Sequence, residues 1–115
     1  MNVQLSCSKG ELTALLRGEI DHHTAREIRK AIDSDIERLH PSLLNLDFSN
    51  VQFMDSSAIG LIMGRFRLMQ LTGGYVKVIN VPPHLKRLIE LSGVGALGVL
   101  EYKGKGKAKG KEVQK

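Results

Sequence analysis

Apolar positions along the chain change their period several times, and each change marks an element. Residues 3–7 and 11–18 ("VQLSC" and "ELTALLRG") alternate apolar with polar and predict two short strands, joined by the tight turn "SKG" at 8–10. "GEIDHH" reads as a loop, and "TARE" as a capping box in which Thr24 accepts from the backbone three residues on while Glu27 reaches back. From Thr24 the period becomes helical. Ile28, Ile32, Ile36 and Leu39 recur at three- and four-residue spacing with Arg26, Arg29, Lys30, Asp33 and Glu37 between them, and His40-Pro41 ends the run.

"SLLNLDF" predicts a buried strand with Leu44, Leu46 and Phe48 on one face, followed by a turn at "SNVQ". A second helix is expected from about Ser57 to Leu71, burying Ile59, Ile62, Met63, Phe66 and Met69, with Gly73-Gly74 stopping it. "YVKVINV" is another strand. Pro82-Pro83 opens a helix carrying Leu85, Leu88 and Ile89 that closes at Gly93, and "GVLEY" reads as a last strand. A hairpin followed by strand-helix alternation implies parallel crossovers, so the expected class is α/β: a small mixed β-sheet covered by helices.

A length of 115 residues suits one domain. The net charge of +5 changes meaning once it is located. Through Glu101 the chain carries 11 Lys and Arg against 11 Asp and Glu, so the whole excess lies in "KGKGKAKGKEVQK". The expected division is therefore a domain over 1–102 and a basic tail over 103–115, whose Gly/Lys alternation has no apolar area to bury and should stay disordered. Such a tail could make salt-sensitive phosphate contacts with nucleic acid. No stacking aromatics accompany it, however, and the neutral domain predicts no direct nucleic-acid binding. The single cysteine, Cys7, rules out an internal disulfide and is expected to be buried in its strand. No signal-peptide pattern opens the chain, and no apolar run approaches the roughly 20 residues of a membrane span, so a cytoplasmic protein is expected.

Three groups invite a chemical reading. "DHH" at 21–23 suggests metal ligation, but His40 and His84 are the only other histidines and stand in no ligand spacing, so no metal is expected. Asp55 lies where phospho-receiver domains place their acceptor, yet no acidic pair follows the first strand to hold magnesium. "FMDSSAI" lacks the glycines of a nucleophile turn. An enzyme or a bound cofactor is thus not expected. Two readings of the serines remain open: a helix cap, or a hydroxyl placed to take a phosphate. A helix start offers unpaired N–H groups and a favourable dipole to an anion of about 1.5–2 negative charges.

Three stretches together resemble the STAS-domain anti-sigma factor antagonists, in particular their sporulation branch: "LRGEIDHHTAREIRKAI" (16–32), "LLNLDFSNVQFMDSSAIGLIMGR" (43–65) and "VPPHLKRLIELSGV" (81–94). The resemblance implies a STAS-like fold and a partner-switching regulator of transcription. The unphosphorylated form would bind an anti-sigma factor that is also a serine kinase and free the sigma factor; phosphorylation would switch it off, and a serine phosphatase would restore it. ATP and magnesium would be bound by the kinase. By position the resemblance makes Ser56 the phosphorylated residue and Asp21 an acidic docking residue, with Asp55, Ser57 and Leu61 in the partner-binding set. Leu61 and Leu68 fall off the main apolar face of their helix and are expected to be partly exposed. Ala58 departs from the glycine usual in the family, and a stress-response antagonist of the same fold is the alternative within it.

Overall fold

The computed structural model describes residues 2–101. The basic tail expected from residue 103 lies outside them.

β1 (Val3–Ser8) and β2 (Glu11–Ile20) form the expected antiparallel hairpin, with Ser8 paired to Glu11. The intervening Lys9 and Gly10 both have positive φ, of 53° and 82°, the backbone signature of a type I′ turn. β2 leads into α1 (His22–Leu39), which returns to β3 (Leu43–Met54); α2 (Ser56–Leu71) then returns to β4 (Tyr75–Ile79). The sheet order is β1-β2-β3-β4, antiparallel in the hairpin and parallel thereafter. Both crossovers step in the same direction, and α1 packs against α2.

Register explains the core. Leu44 pairs with Leu12 and Val76, and Leu46 with Ala14 and Val78, so alternate residues of three strands present one continuous apolar face. Ile28, Ile32 and Ile36 of α1 are buried in the same core. At the positions between, polar residues bond along the sheet: Asn45 donates to Glu11 and Thr13 on β2, and Asn80 donates to Asp47.

Several elements run differently from their sequence pattern. β2 continues through "GEI" to Ile20, and β3 continues through "SNVQ" to Met54. Both extensions are made by bulges, at which the register slips between Leu15 and Arg17 and again between Gly18 and Glu19. Gly18 takes a φ of 73°, and Asp47 Oδ1 accepts from the Ser49 backbone N–H at 2.9 Å. Turn residues thus sit inside strands, because a bulge needs the same backbone freedom as a turn. β4 is shorter than expected: Asn80, at a φ of 57°, ends it. In place of a full last strand, a 3₁₀ turn at Val94–Leu97 follows α3 (Pro83–Ser92), and Leu100 makes only a single parallel bridge to Val78. Leu88 is exposed, whereas Leu85 and Ile89 are buried as expected. Cys7, expected to be buried, is exposed: β1 is the edge strand, with a neighbour on one side only, and its burial falls away from Val3 toward Ser8.

α2 is rotated from the expected face. Ala58, Leu61, Ile62, Arg65 and Met69 are buried, while Ile59, Met63 and Phe66 are only half-buried. Leu61, expected to be partly exposed, is 4% exposed; Leu68 is half-buried against the core. Apolar residues surround this helix, so its own pattern leaves the buried face undetermined; packing against α1 decides it. That packing includes one ion pair, Arg65 Nε to Asp33 Oδ1 at 2.9 Å. Burial raises the Asp33 pKa, with the positive charges of Arg65 and Arg29 opposing it, and burial lowers that of Arg65. In both directions desolvation outweighs attraction, so the pair fixes the approach of two helices more than it stabilises them.

Replacing Asp33 with Ala should leave the Arg65 cation without its partner and lower stability by about 1–3 kcal/mol in urea denaturation. The double replacement Asp33→Leu with Arg65→Met should recover most of that loss. A double variant no more stable than the single one would place the cost in packing rather than in an unpaired charge.

Candidate functional site

The two loops that matter leave neighbouring strands at the same end. Ile20 and Met54 are paired at the ends of β2 and β3, and the next residues, Asp21 and Asp55, are the N-caps of α1 and α2. The strand pairing continues one step into the caps, where the Asp55 N–H donates to the Ile20 carbonyl at 3.1 Å. Asp21, Asp55 and Ser56 therefore share one surface, as loops at the carboxyl ends of adjacent parallel strands must.

The two caps differ. Asp21 accepts at Oδ1 from the N–H groups of His23 and Thr24, at 2.9 and 3.0 Å, and its own N–H donates to Thr24 Oγ1 at 2.8 Å. This reciprocal box starts the helix at His22, two residues before the expected start, and makes Thr24 the third helical residue rather than the cap. Thr24 also donates to the Glu19 carbonyl, which ties the cap back to β2. The hydrogen bond from the Thr24 backbone is the largest of several that hold the Asp21 carboxyl below the usual carboxylate range. Asp55 accepts at Oδ1 from the Ser57 N–H at 2.8 Å. The third residue of α2 is Ala58, which has no hydroxyl to complete a box, and the Asp55 N–H turns to Ile20 instead.

Ser56 is the first residue of α2 and is exposed, with no side-chain hydrogen bond among the described residues. Ser57 is half-buried and turns toward α1. The serine that caps nothing is thus the accessible one, and capping falls to Asp55. Ala58, within the first turn, is fully buried. His22 and His23 are exposed with their rings in an edge contact at 5.6 Å, and no cluster of metal-ligating side chains occurs among the described residues.

Between α1 and α2 lies a groove of about 330 Å³ that sequence reasoning missed. His22, Arg26 and Arg29 line it from α1, and Ser57, Leu61 and Arg65 from α2. The signal was present as two helical stripes, 22-26-29 and 57-61-65, but only the tertiary structure sets them face to face.

Residues 2–101 match the STAS domain family model. The chain is 40% identical over 96 residues to the anti-sigma F factor antagonist of Paenibacillus polymyxa, covering 82% of each chain. It belongs to the STAS-domain family of anti-sigma factor antagonists. A second relative, the anti-sigma F factor antagonist of Lysinibacillus sphaericus, is 31% identical over 83% of this chain and 82% of its own. Among solved structures, the unphosphorylated form of the antagonist SpoIIAA superposes with a TM-score of 0.78 at 28% identity, covering 90% of this chain and 89% of that one. Its counterpart, described as the Bacillus cell fate determinant SpoIIAA in the phosphorylated form, gives 0.71 at the same identity, over 90% of this chain and 92% of that one. This STAS domain is therefore a regulatory binding protein and not an enzyme.

Two outcomes test the caps of this STAS domain. Asp55→Ala should cost about 1 kcal/mol, read from urea denaturation. For Asp21, a lowered folded-state pKa means that its stabilisation is present above the unfolded value of 3.8 and is lost as pH falls through the folded one. Asp21→Asn keeps a capping oxygen without the titration, so its melting temperature should lie below that of the parent at neutral pH and converge on it in acid. Parallel curves across that range would show that the carboxylate charge is not what the cap uses.

Proposed function

We propose that the unphosphorylated protein binds an anti-sigma factor that is also a serine kinase and so frees a sigma factor. Phosphorylation of Ser56 then switches it off, and a serine phosphatase restores it. The observation that carries this reading is the position of Ser56: an exposed hydroxyl on the first helical turn, beside the Asp21 loop on one surface. The Ser57 and Ala58 N–H groups already bond Asp55, so it is the dipole of α2 that favours an added anion there, and a phosphate changes the surface without unfolding the helix. It also adds about 1.5–2 negative charges directly beside Asp55. Asp21 supplies a fixed anion for a basic side chain of the kinase, and Asp55 and Ser57 border the acceptor. Leu61, buried one turn on, backs Ser57 from within the groove. The kinase brings the ATP, the magnesium and the base.

Sporulation rather than general stress is the favoured setting. Relatives named for sigma F are 40% and 31% identical, against 27% for the anti-sigma-B factor antagonist of Bacillus subtilis. Exchange among such partners would take place in the cytoplasm. No helix among the described residues is long and apolar enough to cross a membrane.

Incubation with the cognate anti-sigma kinase and ATP, followed by mass-spectrometric mapping, should place phosphate on Ser56 and none on the Ser56→Ala variant. Full-rate labelling of that variant would refute the assignment. Asp21→Asn, which retains the cap, should weaken the kinase complex roughly tenfold, the value of one charge-assisted hydrogen bond. Unchanged affinity would remove Asp21 from the interface.

A further inference from the structure

We infer that the groove between α1 and α2 is a binding site for a phosphate dianion, carried by inorganic phosphate or by a small phosphate monoester. The inference does not depend on the partner-switching reading, because Ser56 lies outside the groove lining.

Charge is the first support. Arg26, Arg29 and Arg65 reach the groove from two helices, and the acid set against them is Asp33, paired with Arg65. Neither Arg26 nor Arg29 has an ion-pair partner among the described residues. Arg26, Arg29 and Arg65 line the same groove, so their positive charges gather on one region.

The second support is independent of net charge. Arg65 lines the groove at 6% exposure, and although its Nε lies 2.9 Å from Asp33 Oδ1 as an ion pair, neither Nε nor Nη1 has a hydrogen-bond partner among the described residues. A guanidinium keeps its charge at any physiological pH, so a buried N–H left unpaired calls for an acceptor. A guanidinium in the groove wall whose buried donors are unpaired suits a tetrahedral oxyanion, which arginine holds by paired hydrogen bonds once the side chain turns to meet it. His22 and the Ser57 hydroxyl add donors at the end nearer the helix starts.

Shape gives the third. About 330 Å³ is at the lower end of the range that ligand pockets occupy and is larger than a bare phosphate needs. Leu61 offers an apolar wall for the body of a monoester.

The test uses the full chain in a chloride buffer at constant ionic strength. Inorganic phosphate and phenyl phosphate are titrated separately, and arginine Nε–H and backbone resonances are followed by NMR. Saturable shifts confined to α1 and α2 residues around the groove are expected. Arg29→Gln should weaken binding roughly tenfold or more, while Arg38→Gln, on an exposed arginine paired with Asp35, should leave it unchanged. Arg29 is exposed, so its variant should fold normally, and the variant's backbone spectrum verifies this in the same sample. Tighter binding of phenyl phosphate would assign the monoester as the ligand class; equal affinity would assign the free anion. Absence of saturation, equal weakening by Arg38→Gln, or a response to a glutamate-rich peptide but to neither phosphate would overturn the proposal.

Discussion

Parallel pairing of β2 with β3 is the constraint on which the rest of this molecule depends. It aligns Leu12 with Leu44 and Ala14 with Leu46 to make the apolar face that α1 and α2 cover. The same ladder ends at Ile20 and Met54, so each helix begins one residue beyond a paired strand end. Core and site are thus products of one register. Two bulges let β3 gain residues on β2 without losing that alignment at either end.

Each helix start meets its orphan N–H groups differently, and the proposed switch rests on that difference. In α1 the aspartate and threonine satisfy one another, which makes a rigid cap with an accessible carboxylate. In α2 the aspartate carboxylate serves the Ser57 N–H, its carbonyl accepts from the Ala58 N–H, and its own N–H is drawn back into the strand pairing. The first residue, Ser56, is left exposed and uncommitted. A hydroxyl that stabilised the fold would be costly to modify, whereas one that holds nothing is free to change charge state.

α2 joins two kinds of environment. One flank carries Ile62 and Met69 into the core; another carries Ser57, Leu61 and Arg65 along the groove opposite α1. The Arg65–Asp33 pair spans the two helices at a point where burial works against both charges. Such a pair contributes little net stability, but it ties α1 to α2 beside the groove.

Much of this was legible in the chain. The hairpin turn at Lys9-Gly10, the isoleucine stripe of α1, the proline start and glycine stop of α3, and the α/β alternation follow from local chemistry and period, which do not depend on distant residues. "FMDSSAIG" identified a helix start with a hydroxyl, and left cap and acceptor unresolved. The cap is assigned by seeing Asp55 bond the Ser57 N–H while Ser56 stays exposed, because either residue can fill a cap by its chemistry; the acceptor role remains a proposal. "GEI" read as part of a loop and "SNVQ" as a turn, since bulges, loops and turns draw on the same residues and only a partner strand distinguishes them. The buried face of α2, the interior position of Leu61 and the convergence of Arg29 with Arg65 were decided by tertiary structure alone. Sequence records spacing along one helix, whereas burial and electrostatic convergence depend on which second helix lies across it.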